Sequence, residues 1–273
     1  MKKSFLLLFF VVPYFLFPQQ HPLPVESASL IENGRAQFDV SAAYFHDQVF
    51  PLSGLRGDLT KLGNLRFAAA VSDYVELQAD GTLLNILRIT QRSPAFNSHR
   101  TVSSNPTADI GDLTFWTKIG LLNEYSSGIG CALRFGVQLP NASNESGLGI
   151  DEMNFFSTFL FQKHLAGIWT VNIGLGVLSD PTLVGQQHDV FVYGIGYTVP
   201  VSAATFFRAE YTGRRGHEGV AMYHLDNLKL AVDQEFGDLT IRAAGISNFS
   251  AHDRSKGIEL TAVFAFQFIE VKR

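Results

Sequence analysis

The stretch that decides the fold is Ile129-Gly-Cys-Ala-Leu-Arg-Phe-Gly-Val-Gln-Leu139. Its odd positions are apolar throughout, whereas its even positions carry glycine, alanine, arginine and glutamine. Successive side chains of a β-strand point to opposite faces, so this strand has one apolar face and one small or polar face. About ten residues is also the length that a tilted strand needs to cross the hydrocarbon core of a bilayer. The pattern therefore predicts a strand with lipid on one side and a wet interior on the other.

The same alternation recurs along the chain. Residues 169–177 show it clearly, with apolar side chains at every second position and small or polar side chains between them. About twelve such segments can be counted by this criterion. They lie near residues 36–45, 63–71, 74–84, 110–122, 128–139, 154–162, 169–178, 189–199, 203–211, 223–235, 239–247 and 258–271.

The connections between these segments alternate in length. Short connections lie near residues 72–73, 123–127, 163–168, 200–202 and 236–238. Long polar connections lie near residues 46–62, 85–109, 140–153, 179–188, 212–222 and 248–257. Short periplasmic turns, longer outside loops and an even strand count are typical of outer-membrane barrels. We therefore predict an all-β fold, namely a single antiparallel transmembrane β-barrel of about 12 strands with both mature termini in the periplasm.

The N-terminus carries an export pattern. Lys2-Lys3 precedes an apolar run at residues 5–17, which is shorter than the roughly 20 apolar residues that span a bilayer. A positive region ahead of such a run indicates a secretory signal peptide, although an uncleaved short anchor is an alternative. We predict a signal peptide at residues 1–20, a barrel at residues 21–273, and location in a bacterial outer membrane.

Composition supports this class and argues against others. Charged residues make up 17% of the chain and hydrophobic residues 46%, yet no second apolar run reaches the length of a transmembrane helix. The net charge of −4 comes with no basic stripe, so no nucleic-acid partner is expected. The predicted partners are outer-membrane lipid and a small-molecule solute. The single cysteine, Cys131, excludes an internal disulfide and is interpreted as a small apolar filler.

Motifs of catalysis are missing from the sequence. It contains no G-x-S-x-G elbow, no P-loop, and no dinucleotide fingerprint at a strand-to-helix turn. We therefore predict no enzyme activity, no catalytic residue, no cofactor and no metal site. Loop histidines leave one alternative open, because imidazole next to carboxylate could bind a divalent cation at the barrel mouth. Ordinary solvated loops explain the same residues: His46, His99, His188, His217, His224 and His252.

Charged residues on the polar strand faces are the candidates for lining the lumen. An Arg or Lys that faced lipid at the midplane would cost roughly 2–4 kcal/mol, so these residues are expected to point inward and to influence selectivity. They are Arg66, Glu76, Asp112, Lys118, Arg134, Arg208, Glu210, Lys229, Asp233, Arg242 and Glu259. Such a mixture of signs can form ion pairs that fill the barrel, or line a water-filled path. Inward small residues favour the path: Gly130, Ala132, Gly136, Gly174 and Gly176.

Three short motifs resemble those of a known family. They are Ile110-Gly-Asp-Leu-Thr-Phe-Trp-Thr-Lys-Ile-Gly-Leu-Leu122, Val137-Gln-Leu-Pro140 and Gly147-Leu-Gly-Ile-Asp151. They are similar to motifs of the outer-membrane family described as "meta-pathway of phenol degradation" proteins, and the similarity covers about residues 109–215. The resemblance implies a barrel of this size and a channel or transporter for small, hydrophobic or amphipathic molecules. The alternative is a non-conducting structural or surface-interaction barrel with an ion-paired lumen.

Overall fold

The structure is a computed structural model that describes residues 23–94, 102–149, 151–179, 186–216, 224–250 and 253–268. The predicted signal peptide at residues 1–20 lies outside the described residues. So do three of the loop histidines: His99, His217 and His252. No helix in the described ranges is long and apolar enough to cross a membrane.

The described chain forms one antiparallel sheet that closes on itself, because the first strand pairs with the last. The strands are β1 (Arg35–Phe50), β2 (Leu55–Ala70), β3 (Val75–Arg92), β4 (Thr107–Asp109), β5 (Leu113–Leu122), β6 (Gly130–Leu139), β7 (Asn154–His164), β8 (Ile168–Ser179), β9 (Gln187–Pro200), β10 (Thr205–Gly216), β11 (Leu225–Phe236), β12 (Leu239–Asn248) and β13 (Lys256–Gln267). The short β4 and then β5 both pair with β3, so together they make one wall strand. The predicted closed antiparallel barrel of 12 strands is confirmed.

Cross-strand register separates the two faces of the wall. Leu133 of β6 pairs with Ile119 of β5 and Phe159 of β7, which gives an apolar row on the outer surface. The adjacent row joins Arg134 to Lys118 and to Thr158 of β7, and all three side chains are buried inside the barrel. Phe159 is 49% exposed although it is apolar, whereas Arg134 is 2% exposed although it is charged. This inverted distribution is the one expected when lipid, rather than water, surrounds the barrel.

The two ends of the barrel differ in their connections. At the end called here the short-turn end, strands are joined by residues 71–74, 123–129, 165–167, 201–204 and 237–238. The second of these contains a single helical turn, α1 (Glu124–Ser127), capped by the Asn123 side chain. At the other end, called the long-loop end, the connections are residues 51–54, 93–106, 140–153, 180–186, 217–224 and 249–255, of which residues 140–153 include a 3₁₀ turn at Asn144–Ser146.

The first predicted long loop, residues 46–62, is wrong. β1 and β2 continue through this stretch and are joined by residues 51–54 alone. The physical reason is an apolar cluster in the barrel interior at the long-loop end, which we call the outer cluster. Side chains of β1, β2 and β3 pack together there, so these strands stay paired beyond the expected strand ends. The members of this outer cluster are Ala43, Phe45, Phe50, Leu55, Leu59, Leu87, Ile89, Val102, Leu148 and Ile246.

A β-bulge at Gly63 changes the inside–outside phase of β2. Gly63 has a φ of 63°, and the register against β1 shifts between Ser41 and Ala42. A bulge inserts one extra residue and re-aims the side chains on either side of it. Odd-numbered residues such as Lys61 therefore point inward before the bulge, and even-numbered residues such as Arg66 point inward after it.

Candidate functional site: the barrel lumen

The N-terminal stretch that precedes β1 lies inside the barrel. We call residues 23–33 the lumen segment. Glu26 is only 4% exposed, and its backbone N–H and C=O are both bonded by Asn172 of β8, at 2.7 and 2.8 Å. Ile31, farther along the segment, donates its N–H to the carboxylate of Glu76 on β3 at 2.9 Å. The segment therefore reaches strands that are four positions apart in the wall, β8 and β3, and occupies the space between them.

Buried ion pairs anchor the lumen segment. The Lys118 Nζ lies 3.0 Å from Glu26 Oε1 and 3.1 Å from Glu76 Oε1, and Arg66 donates to Glu26 Oε2 at 2.5 Å. We call these four residues the Glu26 cluster. Two carboxylates and two cations balance in charge, and Lys118 and Glu76 are at most 2% exposed. A buried pair of this kind contributes little net stability, but removal of one partner is costly because it leaves a buried charge uncompensated.

Hydrogen bonds to polar wall residues complete the anchoring. The Gln162 amide of β7 accepts from Ser27 Oγ at 2.5 Å and donates to Ser29 Oγ at 2.8 Å. Lys118 also donates to the Ser29 carbonyl at 3.0 Å. The lumen segment makes no strand pairing, so these side-chain bonds satisfy part of its buried backbone, as burial requires.

Glycines of the wall make room for the lumen segment. A Cβ built on Gly120 would lie 2.7 Å from Leu30, and one built on Gly196 would lie 3.0 Å from Val25. A Cβ contact of 2.7 Å is essentially never seen and one of 3.0 Å is unusually tight, so a larger residue at either position would require Leu30 or Val25 to move. At Gly130 a Cβ would lie 3.7 Å from the Cβ of Ala28, which is ordinary contact. The inward glycines thus shape a seat for residues 23–33.

The interpretation that inward small residues leave an open path is therefore wrong at several positions. Ala132 is covered by Ala28, and both belong to one buried apolar group. The Trp116 ring lies over Gly136, where a Cβ would be 2.4 Å away, and Phe156 lies over Gly176 at 2.8 Å. The remaining two of the five small residues are filled in the same way, Gly130 by Ala28 and Gly174 by the neighbouring strand. Neighbouring strands and the lumen segment therefore occupy the space beside these small residues.

Arg134 lies at the boundary between the lumen segment and the aromatic wall. Its guanidinium stacks 3.8 Å from the centre of the Trp116 ring and donates to Gln78 Oε1 at 2.9 Å. It also lies 3.9 Å from Asp80, which accepts a bond from the Trp116 indole N–H at 2.6 Å. A desolvated cation–π contact of this type stabilises by about 2 kcal/mol. Arg134 is therefore held in one position.

A second ion cluster lies on the wall formed by β10, β11 and β12. Asp233 of β11 accepts from Arg242 Nε at 2.7 Å and lies 3.3 Å from Arg208 Nη2. The other terminal nitrogen of Arg208, Nη1, lies 3.5 Å from Glu210. We call these four residues the Asp233 cluster. The side chains of Arg208 and Arg242 are 29% and 21% exposed, so they border on space inside the barrel.

All eleven sequence-predicted lumen residues lie on the inner side of the wall, but in different settings. Glu76, Lys118 and Arg66 hold the lumen segment. Arg208, Glu210, Asp233 and Arg242 form the Asp233 cluster, and Lys229 pairs with Glu259 at 2.8 Å. Arg134 stacks on Trp116, and Asp112 accepts from Gln138 at 2.6 Å.

Two cavities flank the lumen segment. The upper cavity, of about 340 Å³, lies on the long-loop side of the segment and is bordered by Leu23 and Pro24. The lower cavity, of about 760 Å³, lies at the short-turn end and is bordered by residues 28–33 of the same segment. The segment therefore lies between the two cavities.

At the rim of the lower cavity, hydrogen bonds from the backbone N–H and ring of His164 hold the pKa of Glu124 below its usual range.

Two inward residues of importance escaped the sequence reasoning. Glu26 belongs to no alternating segment, so periodicity gives it no orientation. Lys61 fell in a predicted loop, and extrapolating the phase of β2 backwards from Arg66 would have turned it outward. The signal that was present is Gly63, since a glycine inside a strand often marks a bulge.

The hypothesis of a loop cation site finds no support in the described ranges. His46 bonds Asp58 at 2.8 Å rather than its neighbour Asp47, and Asp47 pairs with Arg56. His224 contacts a backbone carbonyl, that of Gly216, at 3.0 Å. Within the part of the chain that the structure describes, no group of three or more His, Cys, Asp and Glu residues is placed to hold a metal ion.

Comparison with known proteins identifies the fold alone. No protein-family model matches the chain, and no curated protein sequence matches it. The chain is similar in structure to the COG4313 outer membrane channel from Pseudomonas putida F1, with 16% identity, a TM-score of 0.59, and coverage of 88% of this chain and 98% of that chain. It is also similar to the translocator domain of the autotransporter NalP from Neisseria meningitidis, with 13% identity, a TM-score of 0.50, and coverage of 87% and 91%. The chain has the fold of outer-membrane β-barrels.

Proposed function

We propose that the protein is an outer-membrane channel for small hydrophobic or amphipathic molecules, exported by a signal peptide at residues 1–20. The observation that carries the proposal is the pair of lumen cavities that residues 23–33 divide. The resemblance to "meta-pathway of phenol degradation" proteins, and the likeness to a protein described as an outer membrane channel, support the same role.

The lumen segment has to leave its seat for a solute to cross. The segment is held by side-chain hydrogen bonds, ion pairs and a few apolar contacts rather than by strand pairing, so water in an open lumen can replace its polar bonds at moderate cost. Wall charges would then line the path and set its preference for ions and solutes, as rings of charge do in other pores. The eleven inward residues named above are the candidates for this role.

A non-conducting barrel is the second candidate. The Glu26 cluster ties the lumen segment to the wall, and the Asp233 cluster ties the adjacent strands β10, β11 and β12 to one another. Both clusters favour a barrel whose interior stays fixed. In that case the lumen segment is a permanent part of the core. The two candidates differ in one measurable property, which is whether solute flux depends on movement of the segment.

A disulfide between the lumen segment and the wall tests this difference. The Cβ atoms at positions 28 and 130 would be 3.7 Å apart, within the usual range for a disulfide. The variant Ala28→Cys/Gly130→Cys, made with Cys131→Ala to remove the native thiol, is reconstituted in liposomes. We expect solute-dependent swelling after reduction and its loss after oxidation, with Cys131→Ala alone insensitive to both treatments.

Two results would count against the proposal. Equal swelling of the oxidised and reduced forms, with the cross-link verified, would mean that residues 23–33 do not control the path. Absence of flux in the wild type, in the reduced variant and in the control alike would favour the non-conducting barrel.

A further inference from the structure

Lys61, which borders the upper cavity, has no ion-pair or hydrogen-bond partner among the described residues. Lys61 of β2 is 8% exposed and borders this cavity. In the part of the chain that the structure describes, its ammonium has no hydrogen-bond partner and no carboxylate within 4.0 Å. A buried ammonium is costly unless an anion or a hydrogen-bond acceptor compensates it. The cavity therefore offers a positive group with three donors to whatever enters it.

The carboxylates that face Lys61 are already used by other groups. Asp112 and Glu259 both interact with Lys61 electrostatically. Glu259 accepts from Lys229 at 2.8 Å and from Thr261 at 3.0 Å, and Asp112 accepts from the Gln138 amide at 2.6 Å. They moderate the positive potential without occupying the donors of Lys61. One ammonium without a partner is compensated by one negative charge, which a single carboxylate supplies.

An apolar surface lies one inward step from Lys61. In register, Lys61 pairs with Ala43 of β1, and the next inward residue of β1 toward the long-loop end is Phe45. Phe45 and Ile246 of β12 both stand opposite Gly257 of β13, so their side chains flank a position without a side chain. Both residues border the upper cavity and belong to the outer cluster. The cavity thus presents the Lys61 ammonium and, nearer the long-loop end, an apolar patch formed by Phe45 and Ile246.

We propose that the upper cavity binds a small amphipathic monocarboxylate. The carboxylate accepts hydrogen bonds from the Lys61 ammonium, and the apolar body lies against Phe45 and Ile246. The volume of about 340 Å³ is within the usual range for small-molecule sites, which are mostly apolar with a few polar groups that fix orientation. The inference rests on the proposed channel function, for which it names the class of solute.

Equilibrium binding to the full-length mature protein in detergent tests the site. Isothermal titration calorimetry compares 4-phenylbutyrate with its neutral isostere 4-phenylbutanamide. A hydrogen bond to a charged group predicts that the carboxylate binds about 10- to 100-fold more tightly than the amide. Lys61→Met should abolish this preference while amide binding is retained, and Lys61→Arg should keep the preference. Lys163→Met, which changes an exposed lysine at the short-turn end, is the matched control and should behave as wild type.

Three outcomes would overturn the inference. They are equal affinity of the wild type for acid and amide, a carboxylate preference that survives in Lys61→Met, and a preference lost equally in Lys163→Met. Binding is measured without transport, so it separates this inference from the channel proposal. Flux without carboxylate binding would support the channel proposal and refute the carboxylate site. Carboxylate binding without flux would support the site and count against the channel proposal.

Discussion

Removal of the Glu26 carboxylate should release the lumen segment while the barrel stays folded. In Glu26→Ala, the cations Arg66 and Lys118 lose the anion that each contacts in the docked state. Lys118 is 2% exposed there, so water cannot easily compensate it. In the undocked state the same cations face the lumen, where water can solvate them. The substitution therefore penalises the docked state alone.

The magnitude follows from the geometry of the cluster. Removal of one partner of a buried ion pair costs about 3–5 kcal/mol. Glu76 still holds Lys118 at 3.1 Å, so the lower figure applies. A change of about 3 kcal/mol raises the ratio of undocked to docked segment about 100-fold, since each 1.4 kcal/mol is a factor of ten.

Open probability in planar bilayers measures this ratio directly. Glu32→Ala is the matched control, because Glu32 is an acid of the same segment whose side chain is 61% exposed. A second readout is the rate of disulfide formation in Ala28→Cys/Gly130→Cys, which should fall when Glu26 is replaced. The reasoning is refuted if Glu26→Ala opens no more often than wild type, or if Glu32→Ala opens the channel to the same extent.

Three further predictions use the wall. Leu133→Arg should impair membrane assembly, measured by heat-modifiability on gels, because it places a charge in hydrocarbon at a cost of about 2–4 kcal/mol. Arg134→Leu should assemble normally and change ion selectivity, measured by reversal potentials. The opposite pattern would mean that the inner and outer faces of the wall are assigned the wrong way round. Gly196→Leu should raise solute flux by displacing Val25, and unchanged swelling rates with a correctly folded barrel would contradict the seat described for the segment. Protease added to intact cells should cut within residues 140–153 and spare the short turns, and cleavage at the short turns alone would reverse the topology.

Local sequence was sufficient to predict the wall. Leu133 and Arg134 are adjacent and chemically opposite, and a strand has to send them to opposite sides. Repetition of that contrast along the chain predicts a closed barrel, because a membrane sheet cannot leave an edge unpaired. The phase at Lys118, Arg134 and Glu210 follows from the same period of two. These are properties of neighbouring residues, and they do not depend on the rest of the fold.

The contents of the lumen were decided by tertiary structure. Glu26 lies in a stretch without periodicity, and only the closed wall brings Arg66 and Lys118 to it from strands that are distant in sequence. The orientation of Lys61 depends on the bulge at Gly63, where one extra residue reverses the phase that the flanking sequence indicates. A period-two pattern shows which face of the sheet a side chain lies on, but it shows neither the register of the strands nor the position of an unpaired segment. The packing of the lumen segment and the cavities on either side of it therefore depend on the folded barrel.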